Sequence, residues 1–199
     1  MQKIRRQLEA FQQAPKEPPH LLLKFYNFPT SIFHISENRD YSKYSAVVKQ
    51  RGGRNYYIPF GWVRFGLKVE NPSNIFTNST CVCFYAADID IILKICITGK
   101  FPDDEFKSAG SPIQYIYLTP YIDHLEFSGR ACEMPKDIGL HLGGNDRFRV
   151  VLQCRVPNHL ITEVPDPSPY YSQSIRENSI WRVPMEQVAP YAICIKQID

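Results

Sequence analysis

Long apolar runs are missing from this chain. Its opening residues, MQKIRRQLEAFQQAPKEPPH, hold no apolar stretch of the roughly 7–15 residues that a secretory signal needs. No later segment approaches the ~18–20 consecutive apolar residues of a membrane-spanning helix. The expectation is a cytoplasmic or nuclear protein with no membrane contact. A surplus of one charge sign is missing too: 23 Lys and Arg stand against 20 Asp and Glu, a formal net charge of +3. That balance does not supply the broad phosphate-neutralising face of a dedicated nucleic-acid binder. Metal-ligand spacing is absent, because His20, His34, His124, His141 and His159 are dispersed and the six cysteines contain no CxxC pair; no metal is expected. The motifs GxSxG, GxGxxG and GxxxxGK followed by Ser or Thr do not occur, which removes the hydrolase elbow, the Rossmann turn and the P-loop.

What the chain does contain is apolar and aromatic surface. Of its 199 residues 44% are hydrophobic and 13% aromatic, enough to offset the ordering entropy of a folded domain. The length suits one core with an extension. Residues 1–20 read as that extension, a short N-terminal helix carrying Ile4, Leu8 and Phe11 that Pro15, Pro18 and Pro19 end, or else a linker. Residues 21–199 read as the single domain. Cys81, Cys83, Cys96, Cys132, Cys154 and Cys194 mostly sit inside apolar runs such as VVLQC and AICI, as buried thiols do.

Between Leu21 and Ser45, aromatic residues alternate with turn formers, a pattern of short strands and loops. Val63, Phe65, Leu67 and Val69 alternate with polar or small residues and predict a half-buried strand. The apolar CVCFY then runs directly into a helix: Asp88 is placed to cap it, Ile89, Ile92, Leu93 and Cys96 share a face, and Gly99 closes it. A short helix carrying Ile122, Leu125 and Glu126 is predicted after Pro120. RFRVVLQCRV is the strongest strand candidate, and two more strands are expected around SIWRV and YAICIK. The expected class is α+β, with many strands and two or three helices.

Four segments in order, CVCFYAADIDIILKICITG, YIYLTPYIDHLEFSGRA, VVLQCRV and ENSIWRVPMEQVAPYAICIK, resemble the catalytic domain of the ADP-ribosyltransferases, specifically the poly(ADP-ribose) polymerase-like group. In that family a strand ends in a His-Gly-Thr/Ser turn before a helix. A Gly-Ile-Tyr-Phe-like strand, an apolar strand reading like LCRV, and a glutamate before a late strand follow. The resemblance covers roughly residues 58–199 and implies a split β-sheet core with a few short helices. It also implies NAD as substrate and displacement at the nicotinamide ribose carbon through an oxocarbenium-like transition state. Tyr117 falls on the family's nicotinamide-stacking tyrosine, and Glu177, four residues before Trp181, on its catalytic glutamate. The cofactor-binding positions implied are Tyr85, Ala86 and Tyr117. Tyr85, Ala86 and Ala87 stand where the family has His, Gly and Thr or Ser, so the first member of the triad is replaced and weak or absent NAD binding is expected. The resulting expectation is a degenerate ADP-ribosyltransferase-like domain that binds a protein or a nucleotide-like ligand. An active mono-ADP-ribosyltransferase using Tyr117 and Glu177, with a protein acceptor, is the alternative.

A third reading belongs to another class. Arg51, Arg54, Tyr56, Tyr57, Trp62 and Arg64 interleave basic and aromatic residues, which suits phosphate gripping or base stacking in a single-stranded nucleic-acid binder. The same pattern also arises where long side chains cover aromatic surface at a strand edge.

Overall fold

The computed structural model describes residues 27–42, 48–70, 72–102, 113–127, 132–133, 147–164 and 180–198. The expected N-terminal helix lies outside these residues. In chain order the strands are β1 (Arg39–Asp40), β2 (Val48–Arg51), β3 (Arg54–Tyr57), β4 (Val63–Gly66), β5 (Thr80–Tyr85) and β6 (Tyr115–Leu118). They continue with β7 (Cys132–Glu133), β8 (Arg147–Pro157), β9 (Thr162–Val164), β10 (Ile180–Pro184) and β11 (Ala189–Ile198). The helices are α1 (Pro72–Ile75), α2 (Ile89–Thr98) and α3 (Ile122–Phe127).

Six strands make one sheet in the order β1-β4-β11-β8-β5, with β7 beside β5 on the same edge of β8. Strands β6, β10 and β9 form a three-stranded sheet, and β2 and β3 a hairpin. Every pairing among the described residues is antiparallel. The expected α+β class and split-sheet arrangement are therefore corrected: the protein is predominantly antiparallel β. The physical reason is periodicity. Among the described residues only Ile89–Thr98 sustains a helical apolar stripe through 10 residues, whereas β-branched and aromatic residues dominate the described remainder and favour strands.

The large sheet is buried on both faces. On one face Leu152, Cys154 and Val156 of β8 pack with Cys83, Tyr85, Ile193 and Ile195, with Ile92, Ile95 and Cys96 of α2, and with Ile116, Leu118, Trp181 and Val183 of the smaller sheet. On the other, Val151 packs with Val82, Phe84 and Cys194 beneath Tyr56, Trp62 and the α3 residues Ile122 and Leu125. The two sets alternate along β8, as the two-residue period of a strand requires. Two-sided burial also changes the expectation for β4: Arg64 is only 8% exposed, because the Glu37 turn and Tyr191 cover the face that alternation alone assigns to solvent.

Helix α2 forms as its spacing predicts. Gly99, at φ +69°, takes the left-handed position and donates its N–H to the Ile95 carbonyl at 2.8 Å. Asp88 occupies the N-cap position, but its side chain makes no capping hydrogen bond.

The hairpin is seated by its turn. At Gly52, with φ +63°, a Cβ would lie 2.6 Å from the Thr80 carbonyl carbon and 2.8 Å from the Cys81 nitrogen, both rigid backbone atoms of β5. Gly53, at φ +79°, would meet only the Asn158 side chain, at 3.5 Å. Gly52→Ala therefore costs about 2–4 kcal/mol in chemical denaturation, the backbone clash adding to the φ penalty, and Gly53→Ala about 1 kcal/mol. Equal losses at the two positions would contradict this seating.

The buried thiols set a second expectation. Burial pushes Cys194 from 9.0 to about 12, and it also pushes Cys83 and Cys154 upward. A group whose pKa is higher in the folded than in the unfolded chain binds its proton more tightly when folded. Its contribution is intact below about pH 9 and is lost as pH climbs toward 12, by about 1.4 kcal/mol per pH unit per thiol. Denaturation midpoints should hold steady through neutral pH and fall steeply above about pH 9. A midpoint unchanged to pH 11 would contradict the burial.

Candidate functional site

The first two segments of the sequence pattern meet at one point. Phe84, the penultimate residue of β5, and Thr119, just after β6, form an isolated antiparallel bridge. The Phe84 N–H donates to the Thr119 carbonyl at 2.7 Å, and the reciprocal bond is 3.1 Å. The second segment also pairs with the fourth, β6 lying against β10 with Leu118 opposite Trp181 and Tyr117 opposite Arg182. Tyr85, Ala86 and Tyr117 therefore belong to adjoining chain segments.

Their side chains do not share a cleft. Along β6, Ile116 and Leu118 enter the core while Tyr117 is 57% exposed, so the Tyr117 ring lies on the side of β6 away from that core. Tyr85 has the opposite fate. It is 8% exposed, belongs to the same cluster as Ile116 and Leu118, and meets the Phe101 ring edge-on at 5.2 Å and 84°. An edge-to-face pair of this kind stabilises by about 0.5–1.5 kcal/mol beyond the area buried. Ala86 follows the strand and packs against the cluster on the opposite face of the sheet. Glu177 lies outside the described residues.

The interleaved basic and aromatic residues separate into three groups. Arg51, Tyr56 and Arg64 line a cavity of about 300 Å³ between the hairpin and the large sheet. Arg54 turns away: its Nε donates to Asn158 Oδ1 at 2.6 Å, its Nη1 is paired with Glu163, and its guanidinium lies over the Trp181 ring. Tyr57 packs against Tyr121, and Trp62 is fully buried. Only half of the interleaved residues thus converge, and three further cations, Arg39, Lys49 and Arg155, join them from β1, β2 and β8. Sequence proximity could not find Arg155, which pairing in the sheet brings from about 100 positions away. Its one signal was alternation in VVLQCRV, where Val151, Gln153 and Arg155 take the face opposite Leu152 and Cys154.

A larger cavity of about 550 Å³ opens at the C-terminal end of α2, lined by Lys68, Glu70, Cys96, Lys100 and Glu186 among others. Neither Tyr85 nor Tyr117 reaches it. Among the described residues no group of three or more His, Cys, Asp or Glu is placed to hold a metal ion, and no helix is long and apolar enough to cross a membrane.

No family model matches this sequence. Over 59 residues the chain is 29% identical to the leucine–tRNA ligase of Cereibacter sphaeroides, a stretch covering 29% of this chain and 7% of the ligase.

The contrast between the two tyrosines is measurable as stability. Tyr85→Ala should cost about 3–5 kcal/mol by denaturant unfolding, because it empties a filled core site. Tyr117→Ala should fall within about 0.5 kcal/mol of the parent. A large loss at Tyr117 or a negligible one at Tyr85 would reverse the placement.

Proposed function

We propose that this chain is an ADP-ribosyltransferase-like module that binds without transferring ADP-ribose. The order of the four sequence segments supports the likeness, together with the contacts of β5 with β6 through Phe84 and Thr119 and of β6 with β10. The observation that carries the loss of transfer is Tyr85. In the family a histidine at this position holds the adenosine-side ribose; here a phenol faces the core against Phe101.

The chemistry makes that replacement decisive. Displacement at the nicotinamide ribose carbon depends on holding NAD in a near-attack geometry, and positioning of this kind supplies several kcal/mol of the barrier reduction. Tyr117 retains an exposed ring for stacking, but a ring on the outer side of β6 fixes no ribose by itself. What remains is a binding surface. Tyr117 and Ile113 are 57% and 48% exposed, and β6 is a terminal strand of its sheet. That edge suits a protein partner or a nucleotide-like ligand held by stacking.

Incubation of the purified chain with labelled NAD and a mixture of acceptor proteins should give no label above a protein-free control, and Glu177→Gln should leave that result unchanged. Label transfer by the parent chain that Glu177→Gln abolishes would overturn the proposal and make the protein an active mono-ADP-ribosyltransferase.

A further inference from the structure

We propose that the cavity between the β2–β3 hairpin and the outer face of the large sheet is a binding site for a small polyphosphate anion. This goes beyond the reading above and does not rest on it: the cavity lies on the sheet face opposite Tyr85, and neither Tyr85 nor Tyr117 lines it.

Five cationic side chains, Arg39, Lys49, Arg51, Arg64 and Arg155, line about 300 Å³ together with one carboxylate, Glu37. That carboxylate is already shared, lying 3.3 Å from Arg64 and 3.8 Å from Arg39. Among the described residues neither Arg51 nor Arg155 pairs with a carboxylate. Arg155 donates from Nη1 to the Thr80 carbonyl at 3.0 Å, while its Nε is buried with no hydrogen-bond partner. Among the described lining residues Glu37 is the one carboxylate, so Arg51 and Arg155 face the other arginines without a counter-charge of their own, and a bound anion relieves that repulsion.

The floor holds these cations in place. Arg64 and Arg155 each lie 5.6 Å from the centre of the buried Tyr191 ring, and Arg155 also lies 5.5 Å from that of Phe76. A guanidinium held over an aromatic ring has fewer orientations to lose, which lowers the ordering cost of gripping an anion. Burial pushes the pKa of the Tyr191 hydroxyl upward, and those of Tyr41 and Tyr56 likewise, so all three stay neutral and keep their protons at physiological pH.

The arrangement selects among anions. A carboxylate offers two oxygens, which one arginine fork satisfies; cations arriving from β1, β2, β4 and β8 suit a group with many oxygens. A single strand of nucleic acid needs a series of exposed rings for successive bases. Here Tyr56 and Tyr191 are both 7% exposed, and Phe76 alone among the aromatic lining residues is open, at 42%. A compact phosphate-bearing molecule fits and a base-stacked strand does not.

Calorimetric titration of the full chain with inorganic pyrophosphate at near-physiological salt tests this. The expected result is saturable one-site binding, weakened about tenfold or more by Arg51→Gln and by Arg155→Gln and unchanged by Lys94→Gln on the exposed side of α2. Arg51 is exposed on the hairpin, so its replacement leaves the core intact. Absence of saturable binding would overturn the proposal. Equal weakening by Lys94→Gln would do the same, showing general charge attraction, as would Arg51-dependent binding of an oligothymidylate without pyrophosphate binding.

Discussion

Everything in this fold hangs on β8 being paired along both edges and buried on both faces. Its 11 residues hold β11 on one side and β5 and β7 on the other. Leu152, Cys154 and Val156 face the smaller sheet and α2, while Val151, Gln153 and Arg155 face the hairpin side. A strand so placed has no solvent face, and a one-residue slip would exchange the two sets. It would drive Arg155 and Gln153 into the cluster of thiols and aliphatics, where neither has a partner. Register is therefore fixed by chemistry as well as by hydrogen bonds.

The two faces have opposite characters for that reason. One is a buried apolar interface of aliphatics, aromatics and thiols, with Tyr85 as part of its packing. The other carries buried polar groups: Gln153 Nε2 donates to the Tyr56 hydroxyl at 3.0 Å, and the Asn38 Oδ1 accepts from the Gly66 N–H at 3.0 Å. Polar groups buried at a boundary are worth retaining where they position others, and here they anchor the hairpin and the Glu37 turn that frame the cationic cavity. The Gly52 turn, pressed against the backbone of β5, fixes the other wall.

Much of the element pattern was legible in the sequence. The alternation in RFRVVLQCRV yields β8, CVCFY yields β5, and the stripe from Ile89 to Cys96 closed by Gly99 yields α2. The short helix after Pro120 and the late strands at SIWRV and YAICIK are also where their residues place them. The overall class was not legible, because one well-formed helix between two strands reads locally as a mixed α/β unit, while the antiparallel pairing that defines the class is decided by contacts far apart in the chain. The same distance hides the cationic cavity. Arg51 and Arg64 stand out in the interleaved basic and aromatic run, but Arg39 and Arg155 join them only through pairing in the sheet, and no local pattern links the four. Conversely, Tyr85 reads as a ligand position by its place in a motif, yet alternation with Cys81 and Cys83 puts it in the core.

The central claim is that capture of a polyphosphate anion belongs to the arginine-bearing face of the sheet rather than to the Tyr85 side. Amide hydrogen exchange with and without saturating pyrophosphate addresses it directly, since binding slows local opening where contacts form. The account predicts slower exchange in the β2–β3 hairpin and around Arg64, with β6 and the Tyr85–Ala86 turn unaltered. Protection confined to β6 and that turn, with the hairpin unchanged, would contradict it.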